Sequence, residues 1–202
     1  MFQGRGIACD RGERRIFSDF DFQIKPGQAV VLRGPNGSGK TSLLRIASTM
    51  LPAVQGQLTW NGRDISENID EHRTKLHFIG HQDAVKGALT VRENIAVWSN
   101  IRGADESRVD AAMEAFKIAH LCDTPAQYLS AGQHRRTALA RLVASPAALW
   151  LLDEPTVSLD ADGTACLQRA IAGHRAARGM VMAATHIELG LDDAVMMSLT
   201  LQ

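Results

Sequence analysis

The residues whose types and spacing speak most directly of chemistry are Gly34-Pro35-Asn36-Gly37-Ser38-Gly39-Lys40-Thr41, with Ser42 behind them. The pattern G-x-x-x-x-G-K-T is that of a phosphate-binding loop. Its glycines can take dihedrals that side chains forbid, so successive N–H groups can turn inward toward phosphate oxygens. Lys40 then supplies a point charge for β- and γ-phosphates, and Thr41 a hydroxyl for Mg²⁺. Lys40 is expected to face outward from the loop, so that its loss leaves no cavity in a core.

Two further clusters carry chemistry. Leu149-Trp150-Leu151-Leu152 leads into Asp153-Glu154. In an open α/β sheet ligands gather at the carboxyl ends of strands, which should put both carboxylates beside the phosphate loop. Asp153 fits a Mg²⁺ ligand, direct or through water. Glu154 is placed to polarise a water for in-line attack on a γ-phosphate. The third cluster is Leu129-Ser130-Ala131-Gly132-Gln133. Ser130 is a good N-cap, and its hydroxyl, the Gly132 N–H and the helix dipole can form a second phosphate-binding end. Taken alone, that pentapeptide reads sooner as an ordinary capped helix than as a phosphate site.

The elements that must position these groups follow from apolar spacing. Ala29-Val30-Val31-Leu32 reads as a buried strand before the loop, and Thr41–Ala47 as a helix after it. Residues 16–33 read as a strand pair turning at Lys25-Pro26-Gly27-Gln28, with Phe20, Phe22 and Ile24 at period two. Strands are also expected at Gln57–Trp60, before an Asn61-Gly62 turn, and at Leu76–Gly80, Ala148–Leu152, Met180–Ala184 and Val195–Leu199. Between 83 and 143 the pattern is helical. Thr90-Val91-Arg92-Glu93 is a capping box, and Val109, Ala112, Met113 and Phe116 form one apolar stripe. Helix is expected again over 162–177. The expected organisation is a mainly parallel α/β core over 1–82 and 144–202, with an antiparallel N-terminal part and a helical insert over 83–143.

Composition excludes several classes. With 22 Lys plus Arg against 22 Asp plus Glu in 202 residues, the formal charge is zero, which argues against a nucleic-acid binder. No apolar run approaches the ~20 residues of a membrane span, and Met1–Gly6 has no hydrophobic signal core. Cys9, Cys122 and Cys166 are scattered, as reduced thiols of a cytosolic protein would be, and no His or Cys pair has metal-ligand spacing.

Gly34–Thr41, Gln82, Leu129–Gln133, Leu149–Glu154, Ser158-Leu159-Asp160 and His186 stand in the order and spacing of an ATP-binding-cassette (ABC) ATPase. They match its Walker A, Q-loop, signature, Walker B, D-loop and H-loop elements, over essentially the whole chain. The resemblance implies the P-loop ABC-ATPase fold, ATP and Mg²⁺ as ligands, and a head-to-tail dimer. Each ATP would lie between one copy's Gly34–Thr41 and the other's Ser130–Gln133, with Asp160 close by. It implies that Gln82 contacts Mg²⁺ or the attacking water and couples to membrane-spanning subunits, and that His186 holds the γ-phosphate. As isolated residues, Gln82 and His186 read as structural.

A narrower resemblance is to the ATPase subunits of the bacterial cytochrome c maturation system. Gly80-His81-Gln82-Asp83, Lys86, Leu89-Thr90, Glu93-Asn94, Arg135-Arg136, Ala138–Leu142 and Ala184-Thr185-His186 carry it, as does the short length with no C-terminal regulatory domain. It implies a peripheral subunit on the cytoplasmic face of the inner membrane, whose ATP hydrolysis serves haem export and release of a haem-loaded chaperone. Lone His81 lacks what a haem ligand needs.

Two departures stand out. Ala131 replaces the usual first glycine of the signature. Where an aromatic residue usually stacks on adenine, the chain reads Cys9-Asp10-Arg11-Gly12. Arg11 can stack its guanidinium on a base, or stand as a solvated turn residue. The alternatives are an ABC ATPase of another transporter, a non-transport ABC protein of repair or translation, and a P-loop kinase. The insert is short for a coiled coil, and a kinase would need neither Leu129–Gln133 nor His186.

Overall fold

The computed structural model describes residues 1–199. The elements run β1 (Phe2–Arg11), β2 (Arg14–Ile24), β3 (Ala29–Arg33), α1 (Lys40–Ala47), β4 (Gln55–Trp60), β5 (Arg63–Asp64), α2 (Ile69–Thr74) and β6 (Leu76–Ile79). There follow α3 (Val91–Ile101), α4 (Ser107–Ala115), α5 (Ala131–Ala144), β7 (Leu149–Asp153), α6 (Ala161–Ala176), β8 (Met180–Ala184) and β9 (Val195–Ser198). They form two compact units. Among the described residues, one holds Met1–Phe78, Ala148–Glu154 and 174–199; the other holds Ile79–Ala147 and Pro155–Gly173.

The first unit contains two sheets. A parallel sheet in the order β6-β7-β8-β3-β9 has β3 between β8 and β9, and β7 against β8, all three pairs parallel. Strands β7 and β8 are buried at every residue, as continuous apolar strands covered on both faces must be. The second sheet is antiparallel, in the order β2-β1-β4-β5. Its β2 alternates as expected: Phe22 and Ile24 are buried, Asp21 and Gln23 exposed. The β4–β5 turn puts Asn61 and Gly62 at φ 50° and 83°, the left-handed pair a tight hairpin needs.

Both strands expected over 16–33 form, on either side of the expected turn, but they do not pair with each other. Strand β2 joins β1 in the antiparallel sheet, and β3 enters the parallel one. The two patterns differ for that reason: β2 has one wet face, β3 none. Strand β1 has no counterpart in the sequence reading. Its register shifts between Gly4 and Ile7 against β2 and between Arg5 and Ala8 against β4, so the buried Phe2, Ile7, Ala8 and Cys9 never show period two. Helix α2 is also absent from that reading, because six residues are too few to show a stripe.

On β7, Trp150 is covered by the ring of His174, with centroids 3.9 Å apart and planes 4° from parallel. Burial pushes His174 down to about 4.

The second unit packs α3 and α4 against α5. Val109, Ala112, Met113 and Phe116 are each at most 2% exposed, which makes their stripe core. Thr90 caps α3 in a complete capping box with Glu93.

Candidate active site

In the first unit, β3 delivers the chain into the glycine loop and α1 leaves it. Gly39 caps α1 at φ 98°, with no side chain bonding the first N–H groups and no acid in the first turn. Gly34 is needed for space as well: a Cβ there would stand 2.4 Å from the Leu199 carbonyl oxygen. The first N–H groups of α1, which no side chain caps, and the positive end of the helix therefore lie at the loop, ready for an anion. Ser38 is fully buried and its Oγ has no hydrogen-bond partner, as a hydroxyl reserved for a ligand would have none.

Lys40 corrects one expectation. It does not stand clear of the protein: it is 8% exposed, and its Nζ donates to the carbonyls of Gly34 (2.7 Å) and Pro35 (3.1 Å). As the first residue of α1 it lays its methylene stem inside the unit and returns the ammonium to the loop.

The decisive geometry links loop and strand. Thr41 Oγ1 lies 3.0 and 2.9 Å from the two carboxylate oxygens of Asp153, the last residue of β7. Asp153 is 6% exposed. A hydroxyl and a carboxylate so placed form a hard-oxygen pair of the kind Mg²⁺ takes while keeping water and phosphate oxygens. Glu154 follows at the corner. Its φ is +44°, the left-handed region, and its N–H donates to Ala184 O at 2.8 Å. His186, just beyond β8, brings Nε2 within 3.5 Å of Glu154 Oε1.

Lys40, Thr41, Asp153 and Glu154 border one cavity of about 510 Å³, lined also by Arg11, Ile16, Asn36, Gly37 and Ser42. The volume suits a mononucleotide-sized ligand. Arg11 is exposed on its wall. Ile16, 7% exposed, lines the same cavity, and no reading of the sequence singled it out. Its only signal is an inward place on β2; no motif marks it.

The second unit presents its own candidate residues. Gln82 is exposed in the bend after β6. Ser130 caps α5: its Oγ accepts from Gln133 N at 3.3 Å, and Gln133 Oε1 accepts from Ser130 N at 2.9 Å. Ala131 is exposed at the same end. Gly132 approaches its neighbour closely: a Cβ there would stand 3.1 Å from the Ser158 carbonyl oxygen, which would have to give by a few tenths of an ångström. Asp160 accepts from Arg136 Nη2 at 2.5 Å and from Gly163 N at 2.8 Å, and the guanidinium beside it holds its carboxyl below the usual range.

A family model described as "ABC transporter" matches residues 17–157, well over half the chain. The chain belongs to the ABC transporter family, as one of its ATP-binding ATPases. Among curated members, the "Cytochrome c biogenesis ATP-binding export protein CcmA" of Rhodospirillum rubrum is 47% identical, covering 98% of this chain and 85% of that one. The protein of the same name from Paramagnetospirillum magneticum is 45% identical over 96% and 91%. Solved ABC structures share the fold. An ATP-binding subunit of an ABC transporter superposes with a TM-score of 0.88 at 17% identity, covering 98% of this chain and 85% of that one. A putative ABC transporter ATP-binding protein from Pyrococcus furiosus gives 0.85 at 25%, over 98% and 96%. A dimeric ATP-binding cassette in a post-hydrolysis state with ADP and Pi gives 0.82 at 21%, over 99% and 94%. No helix among the described residues is long and apolar enough to cross a membrane.

Proposed function

We propose that the chain powers an exporter of cytochrome c biogenesis, hydrolysing Mg-ATP at the site around Gly34–Ser42. The observation that carries the chemistry is Thr41 Oγ1 seated on the Asp153 carboxylate beside Glu154 and His186. The names of the full-length relatives support the pathway.

In this reading the triphosphate lies on the loop N–H groups, with Lys40 leaving its carbonyl partners for the β- and γ-oxygens. Thr41 and Asp153 would hold Mg²⁺, which supplies charge neutralisation on the phosphates. Glu154 takes a proton from the attacking water as oxygen bonds to the γ-phosphorus, and ADP leaves with the bridging oxygen. His186 holds the γ-phosphate, and Gln82 orients the water or the cation. Ser130–Gln133 of a second copy, with Asp160 close by, closes the site head to tail. Arg11 stacks on the base and Ile16 gives it an apolar wall. Membrane-spanning subunits bind the pair at the cytoplasmic face of the inner membrane, and haem export with release of a haem-loaded chaperone is the work done.

Glu154→Gln tests the site. It should bind Mg-ATP with near-parental affinity and turn over about 10²–10⁴ times more slowly, since the amide cannot accept the proton. Light scattering with Mg-ATP and the membrane partner present should then find two chains together. Parental turnover, or a variant that stays single under those conditions, overturns the reading. Co-purification with neighbouring membrane subunits tests the pathway.

A further inference from the structure

Arg135 is the second residue after Gln133, and it is 3% exposed. Its guanidinium joins three stretches of the second unit. Nη1 donates to the Gly80 carbonyl at 3.0 Å and to Asp83 Oδ1 at 2.5 Å. Nε donates to the Pro155 carbonyl at 3.1 Å. The other oxygen of Asp83 accepts from Nδ1 of His134, the neighbouring residue on α5, at 2.9 Å. Two consecutive residues of α5 thus clamp one carboxylate.

The acceptors are placed suggestively. Gly80 and Asp83 bracket His81-Gln82, both exposed and between the two anchored ends. Pro155 follows Glu154 directly in the chain. A guanidinium in this position is costly to bury unless each of its acceptors is in place, so the fork fixes all three stretches together. Lysine, with a point charge and no fork, could not hold the same set.

We infer that Arg135 is a positioning residue that ties the helix beginning at Ser130 to both ends of the Gly80–Asp83 bend. Occupancy of the Ser130 end by a nucleotide phosphate would then set where Gln82 stands and steady the chain beside Glu154. The inference rests on the roles proposed above for Gln82 and Ser130.

Full-length protein with its membrane partner, assayed for kcat and for KM of ATP, tests it. Arg135→Gln and Asp83→Ala should each lower kcat about tenfold with KM moved less than about twofold. The double variant should lose no more than the worse single one, because both remove the same clamp. Asp83→Asn, which keeps an acceptor oxygen, should recover kcat to within about threefold of the parent. Losses that multiply in the double variant, or a kcat within about twofold of the parent in Asp83→Ala, overturn the inference. If Arg135→Gln does not fold, the Asp83→Ala and Asp83→Asn pair decides by the same criteria. Gln82→Ala separates the two levels. Parental turnover there removes the reading underneath, whereas a loss there with none in Asp83→Ala overturns the clamp alone.

Discussion

Two capping boxes in the second unit are built alike and differ in one group. Thr90 caps α3 with Glu93 at the third position, and Ser130 caps α5 with Gln133 there. Both satisfy the same donors. A carboxylate at that place complements the helix dipole, and α3 takes it. Helix α5 forgoes it for an amide and has no acid in its first turn. Helix α1 goes further, with neither an acid nor any side-chain cap. On the proposed reading, the difference separates a helix start that serves its own fold from one kept fit for an outside anion, which a fixed negative charge would repel.

The sharpest break of this comparison is at α1. Lys40→Met keeps the buried stem and deletes the charge, so turnover should fall by about 10²–10³ or more while the melting temperature moves little. Turnover near the parent's would end the claim for the glycine loop.

Gln133→Glu turns the α5 cap into the α3 kind. The nucleotide-free protein should keep or gain about 0.5 kcal/mol, while ATP-driven pairing weakens about tenfold. The reverse swap, Glu93→Gln, should leave turnover unchanged. Equal effects of the two swaps on turnover would erase the distinction.

Arg11→Ala probes the proposed base end of the α1 cavity. Stacking reads no base edge, so ATP and GTP should bind within about tenfold of each other, or ~1.4 kcal/mol, and both should weaken by a similar few-fold. Titration calorimetry with the two nucleotides measures this. Strong preference for ATP would mean that another residue reads the base.

A last effect, on stability and not on turnover, comes from acid, which loads the first unit through His174. The folded chain holds this ring near pKa 4, against 6.5 for an ordinary histidine. Between those values the unfolded chain binds a proton that the folded one refuses, so the stability is complete above about pH 6.5 and lost as pH falls toward 4. At pH 5 the loss is at most about 2 kcal/mol, reduced by partial exposure. His174→Gln should flatten the fall in melting temperature between pH 7.5 and 5. A parental slope would place the acid sensitivity elsewhere, such as at His72, which burial also lowers.

What the sequence made legible was chemistry fixed by local backbone requirements. Gly34, Gly37 and Gly39, the Thr90 and Ser130 caps, and the strand ending at Asp153 all appear where spacing puts them, since each depends on neighbours within a few residues. What it hid was non-local. Strand β3 lies between β8 and β9, a pairing no window contains, and a bulge at Gly4-Arg5-Gly6 masks β1. Ile16 reaches the cavity from the other sheet, and Lys40 lies buried because of how α1 packs. Arg135 meets Asp83 across 52 positions, so neither residue advertises the other.

The positive φ of Glu154 has an evolutionary consequence. A side chain in that region costs about 1–3 kcal/mol that glycine would not incur. Selection for heat tolerance alone would therefore push position 154 toward glycine or asparagine, and each step would lose the carboxylate we propose as the general base. The corner after β7 is a place where heritable stability and turnover pull in opposite directions. A library screened only for melting temperature should find its easiest gains there, in proteins that no longer hydrolyse ATP.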